Sequence, residues 1–134
     1  NASARASNYY VEPIIRMSNT FVEPGDWSFE EIMKEVKDGL FINSFMEWNI
    51  DDHRLNQRYV GFEAYRISNS EIAEPVKGII IETTTLNLWS KLYARSRDLE
   101  FSAATCGKGD PEQGVPVWTG GPHLLFKGLN LKVR

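Results

Sequence analysis

Residues 59–82 read YVGFEAYRISNSEIAEPVKGIIIE, and this stretch decides the fold. Two runs rich in aromatic and β-branched residues flank the pair Asn69-Ser70. Such side chains fit the pleated, half-buried surface of a sheet. Asn tolerates the positive φ of a tight hairpin turn, although Gly is better than Ser at the second position. The pattern predicts an antiparallel hairpin, with 59–67 as one strand and 71–82 returning beside it. Alternation along 59–67 puts Val60, Phe62 and Ala64 on one face and Glu63 and Tyr65 on the other.

Working outward, Ser28-Phe29-Glu30-Glu31 forms a capping box: the Ser28 oxygen accepts from the N3 amide while Glu31 reaches back. Phe29, Ile32, Met33 and Val36 then repeat at helical spacing. A helix over 29–38 is expected, with Gly39 as a left-handed C′ residue. LFINSFMEW at 40–48 reads as strand, NIDDHRLNQ at 49–57 as a polar loop. Further upstream, NYYVEPIIRM at 8–17 reads as extended, with Pro13 favouring an edge, and FVEPGD at 21–26 as a turn. Downstream, the Thr run at 83–85 offers an N-cap. The i,i+4 pairs Leu88/Leu92 and Trp89/Tyr93 suggest a second helix over 85–95. The remainder reads as short strands around a cysteine-bearing loop. The fold class expected is α+β, a mostly antiparallel β sheet, partly closed and barrel-like, with about two packed helices.

The chain has 134 residues, which fits a single domain over residues 1–134. A domain of this length removes roughly two-thirds of its unfolded surface from water and needs no disulfide. One Cys allows no internal bridge, which suits a reducing, cytoplasmic setting. Net charge is −3 and the 15 basic residues are scattered, which speaks against a nucleic-acid footprint. No apolar run approaches the length of a membrane span. The polar start, NASARASNYY, lacks the apolar core of a signal peptide. It reads as a segment cut from a longer polypeptide.

The only cysteine, Cys106, opens TCGKGDPEQGVPVWTGGP at 105–122. By composition it is a small buried hydrophobe. Its neighbours permit two other roles, a nucleophile or a metal ligand. Gly107 frees the backbone for an unusual turn, and Lys108 favours a thiolate if its ammonium lies near the sulfur. A nucleophilic cysteine needs a base, for which only His53 and His123 are available. Neither has a second His within a helical turn, so the helical zinc motif is missing. Asp51-Asp52 and Glu30-Glu31 read as a solvated loop and a helix cap. Gly107-Lys108-Gly109 is too short for a phosphate loop. Trp48, Trp89 and Trp118 read as core or interface aromatics.

Several segments together resemble the C-terminal domain of the TldD/PmbA family of metallopeptidases, once described as modulators of DNA gyrase. They are SARASNYY, RMSNTFVEPGDWSFEEIMKEVKDGLFI, EAYRISNSEIAEPVKGIIIE and CGKGDPEQGVPVWTGGPHLLFKGLNLKV, in family order. The resemblance spans nearly the whole chain. It implies a zinc peptidase whose upstream helix carries His-Glu-x-x-x-His, supplying two ligands and the general base. The Cys of the CGK motif, matched here by Cys106, supplies the third ligand. That helical motif is absent from residues 1–134, so the resemblance implies the C-terminal part of a longer subunit, inert by itself. Arg16, Asn19 and Lys108 sit in or beside the family-like motifs and are candidates for a groove that binds an extended peptide. Ordinary alternatives are a surface ion pair, a turn and a solvated lysine. Asp110-Pro111 lengthens the loop after CGK, and Trp118 stands where a small residue is common.

Two function classes follow. In one, the chain closes the zinc site of a cytoplasmic peptidase. In the other, it is a non-catalytic interaction module paired with an active partner, as in members without the metal site. The resemblance implies a homodimer or a heterodimer with a related subunit. No residue here indicates contact with DNA or a topoisomerase.

Overall fold

The computed structural model describes residues 3–110 and 112–133. In chain order the elements are β1 (Ala4–Arg5), β2 (Ile14–Ile15), α1 (Phe29–Glu35), β3 (Asp38–Ile50) and β4 (Asn56–Ser68). Then come β5 (Glu71–Pro75), β6 (Ile79–Thr84), α2 (Thr85–Ser90) and β7 (Leu92–Arg95). Last are β8 (Glu100–Lys108), β9 (Gln113–Gly121), β10 (Leu124–Phe126) and β11 (Leu131–Val133). These gather into two compact units. The larger takes Gly25–Arg97 and the segment from His123; the smaller takes the segment up to Pro24 and Asp98–Pro122.

The larger unit is built on a five-stranded antiparallel sheet in the order β11-β6-β4-β3, with β5 also on β4. The Asn69-Ser70 turn forms as expected, with φ of 52° and 67° at its two centres, the arrangement of a type I′ hairpin. Its Asn69 N–H donates to Lys37 O (2.8 Å) and its Ser70 hydroxyl to Lys34 O (3.2 Å). The residue after the turn begins β5, and β6 pairs back to the first half of β4.

The expected face of β4 does not hold. Phe62 is 71% exposed, while Ala64 and Ile67 are buried. Two features explain this. Pairing with β3 shifts register between Ile42 and Glu47, and an extra residue sends later side chains to the opposite face. In addition β4 pairs with β6 over Asn56–Val60 and with β5 over Tyr65–Ser68, so Phe62 falls between its two neighbours.

α1 starts as read. The Glu31 N–H donates to Ser28 Oγ (3.2 Å) and the Ser28 N–H to Glu31 Oε2 (2.7 Å). Ile32 and Met33 are its buried residues. The helix ends at Glu35 instead of residue 38, because Val36 is already extended at φ −101°. Gly39 is therefore no left-handed cap. It belongs to β3, where a Cβ would come within 2.8 Å of Val36 Cγ1. α2 also stops early, at Ser90, after its Thr84 N-cap. Leu92 and Tyr93 leave the helix because β7 pairs with β10, a partner some thirty residues away. Long-range pairing outweighs weak i,i+4 contacts. Ser96 then closes the segment: its N–H donates to His123 O (2.8 Å) and its hydroxyl accepts from the His123 N–H (2.9 Å).

The smaller unit is an antiparallel hairpin of β8 and β9, beside the short pair β1–β2. Burial along β9 alternates cleanly: Gln113, Val115 and Val117 are buried. Gly120 lets β9 approach β8, since a Cβ there would lie 1.9 Å from Glu100 O. The expected extended stretch 8–17 is strand only at Ile14–Ile15, and 21–25 carry no turn. The architecture is thus two helices and mostly antiparallel strands. Its strands form four separate sheets and no closed barrel among the described residues, so the barrel-like expectation is not met.

Candidate functional site

Cys106 lies inside strand β8, opposite Val115, and not in a loop. The Gly/Pro content of 105–122 misleads here for identifiable reasons. Gly107 faces Gly114 within the ladder, and the only connection is the tip at 109–112. Pro116 is tolerated because the hairpin has free edges. Trp118 marks the outward direction: its N–H donates to Asn19 Oδ1 at 3.0 Å. Pro116, two residues earlier, turns its missing N–H the same way. Pro111, in the lengthened loop noted above, lies outside the described residues.

Residues paired directly across two strands share a face. Cys106 therefore sits on the side of Val115, and Lys108 on the side of Gln113. That is the buried face of the hairpin. The thiol is half-buried and in no disulfide. Its sulfur lies 4.0 Å from Gly107 O, too long to be more than a weak interaction.

The buried face is closed by the segment that precedes the first helix. Arg16 is only 3% exposed. Its Nη1 donates to Gln113 O at 3.0 Å and its Nη2 to Cys106 O. Its Nε is buried and has no partner among the described residues. Lys108 Nζ donates to Ile15 O at 2.7 Å, so the ammonium is engaged by a backbone carbonyl. Asn19 caps the outer edge of β9 through Trp118. All three residues singled out from the sequence thus converge on one hairpin, and each bonds backbone.

Two further straps were not singled out. Arg5 bridges Met17 O (2.6 Å) and Pro116 O (3.3 Å). Gln113, 2% exposed, accepts from the Ser7 N–H (3.0 Å) and donates to Glu12 O (2.9 Å). A signal for Gln113 was present: in Q-x-V-P-V it is the one polar residue in phase with two valines. No such signal marks Arg5.

Both histidines belong to the other unit. His53 is an exposed residue of the β3–β4 connection. The His123 ring packs on Phe29 (4.6 Å between centroids) and Phe41 (6.2 Å). The paired carboxylates act locally, as read: Glu31 caps α1, and Asp51 accepts from the Leu55 and Asn56 amides.

A zinc centre needs three or four donors from Cys, His or carboxylate. Among the described residues no three such groups come together. Among the described residues, Cys106 offers a soft donor of the kind zinc takes, and no complete zinc site forms.

Comparison with known proteins identifies the family. The family model for the PmbA/TldA metallopeptidase C-terminal domain matches residues 1–133. A protein of Saccharolobus solfataricus named as a zinc metalloprotease TldD homolog is 34% identical over 129 residues, 96% of this chain and 28% of its own length. TldE of Thermococcus kodakarensis shares the fold at a TM-score of 0.72, with 14% identity, over 96% of this chain and 26% of its own. A Thermotoga maritima protein described as a modulator of a DNA gyrase superposes at a TM-score of 0.67, with 25% identity, over 88% of this chain and 24% of its own. The chain spans about a quarter of the length of the curated relatives it matches. By a match that runs through both units, the chain belongs to the family of PmbA/TldA metallopeptidase C-terminal domains.

Proposed function

We propose that the chain is the C-terminal domain of a zinc-dependent, cytoplasmic peptidase subunit of the TldD/PmbA type. In it Cys106 supplies one metal donor, and the isolated chain is inert. The observation that carries this reading is the placement of Cys106. The only thiol is unbridged and half-buried, on a hairpin whose backbone is strapped at both strands. A zinc ion, when bound, would polarise a peptide carbonyl and activate a water.

The chain's own part is to present the thiol and to hold a peptide. β8 pairs only with β9 among the described residues, so its other edge offers unpaired backbone groups beside Cys106. An extended peptide can add there as a strand, with affinity from main-chain hydrogen bonds and little dependence on side chains. Arg16 and Lys108 build the wall of that groove by holding residues 15 and 16 to the hairpin, and Asn19 supports it from the far edge, on β9. Trp118, half-exposed on β9, lies on the opposite face from Cys106 and does not line that edge. The parent assembles as a homodimer or with a related subunit.

No three donors cluster among the described residues, which is equally what a second reading expects, a non-catalytic module of a TldD/PmbA-type complex. Zinc titration of the full-length parent separates the two. The first reading predicts one tightly bound zinc, lost or much weakened in Cys106→Ala. Unchanged stoichiometry and affinity in that variant would remove Cys106 from the site, and a parent without His-Glu-x-x-x-His would support the module.

A further inference from the structure

Arg16 has no obvious reason to be a charged residue. It is 97% buried, and both recorded partners are backbone carbonyls. One of its N–H groups is left without a partner among the described residues. Desolvating a guanidinium is unfavourable, and well-packed apolar side chains often serve stability as well as buried charges do. What an apolar residue could not reproduce is the fork. Arg16 reaches Cys106 O on one strand and Gln113 O on the other. Gln113 pairs with Lys108, one step along the same face from Cys106. A planar guanidinium with donors in fixed geometry can grip two carbonyls at once, whereas an ammonium on a flexible stem cannot hold the same pair rigidly.

We propose that Arg16 is the positioning residue for Cys106, fixing the backbone that carries the thiol so that the sulfur is presented in one orientation. This rests on the reading of Cys106 as a metal donor. Arg16 does not touch the ion; it acts through the carbonyl of the residue that does. The cost of losing such outer support is typically 10- to 100-fold in metal affinity.

The test uses the full-length parent subunit, with zinc affinity read by chelator competition. Substitution of cobalt(II) for zinc adds a second readout, the sulfur-to-cobalt charge-transfer band. Arg16→Lys is expected to weaken zinc binding by about 10- to 100-fold and to diminish the band. Arg5→Met, which cuts a strap that avoids Cys106, is expected to change affinity less than about threefold, as its contacts are exposed hydrogen bonds of modest net worth. If Arg16→Lys leaves both readouts unchanged while Cys106→Ala abolishes the band, the positioning role is wrong and the donor role stands. If Cys106→Ala changes neither, the donor role itself fails and the inference goes with it. Equal losses in Arg16→Lys and Arg5→Met would reduce Arg16 to one structural strap among several. Should Arg16→Lys not fold, the wild-type parent subunit decides by NMR. Slow rotation of the Arg16 guanidinium, with hydrogen-bond couplings to the Cys106 and Gln113 carbonyl carbons, is expected; free rotation overturns the proposal.

Discussion

At the scale of single residues, the smaller unit depends on a few polar side chains that replace a large apolar core. Its buried hydrophobic residues on the hairpin are Val115 and Val117. Between them and the strapping segment lies Gln113, whose amide is satisfied at both ends. Gln113→Leu preserves size but leaves the Ser7 N–H and Glu12 carbonyl without that partner. Both bonds are only part-buried, so the loss is that of ordinary hydrogen bonds, about 0.5–1.5 kcal/mol each, and denaturant unfolding is expected to show a loss of that order. A variant as stable as the parent sequence would mean that water replaces the amide. Part of this was legible in advance, since Gln113 breaks an apolar alternation. Arg5 and the carbonyl-gripping role of Arg16 were not, because a sequence does not show which backbone groups a long side chain reaches.

At the scale of elements, local signals succeeded where their chemistry is self-contained. The capping box of α1 forms with both of its hydrogen bonds. Ser28→Ala is expected to cost about 1 kcal/mol, and Ser28→Gly only a few tenths, read as a shift in denaturation midpoint. The β3–β4 connection supplies a pH test. Its Asp51 carboxylate sits below the usual aspartate range, held there first by the Leu55 amide, then by Asn56. A group whose folded pKa is depressed contributes stability above its unfolded pKa and loses it as pH falls through the folded value. The turn is therefore expected to stay ordered at neutral pH and to loosen only below the model-peptide value of 3.8. NMR titration of the Leu55 and Asn56 amides checks this: the midpoint should lie below that value and vanish in Asp51→Asn. A midpoint at or above it would mean the hydrogen bonds do not form in solution. Local signals failed where a distant partner intervened. The end of α2 is set by β10, and the face of β4 by a bulge and a change of neighbours. Cys106 appeared to sit in a loop because Gly and Pro usually punctuate; in a two-stranded hairpin with open edges they need not.

At the scale of the whole molecule, the chain spans about a quarter of the length of the curated relatives it matches. Antiparallel architecture was legible from one hairpin, and the family from motifs spread along the sequence. The site was legible only as a cysteine in a motif; the arrangement of Arg16, Lys108 and Gln113 around its strand was not. The isolated chain, with one donor and no metal-ready cluster among its described residues, is expected to retain no zinc through dialysis and to show no peptide hydrolysis when supplied with metal. Sustained hydrolysis would show that a complete centre exists within these residues.

The central claim concerns the bond between Cys106 and the ion, and X-ray absorption at the zinc edge of the intact, metal-loaded subunit tests it most directly. The account predicts one sulfur scatterer at about 2.3 Å, absent in Cys106→Ala. A first shell made only of nitrogen and oxygen in the wild-type protein would contradict it.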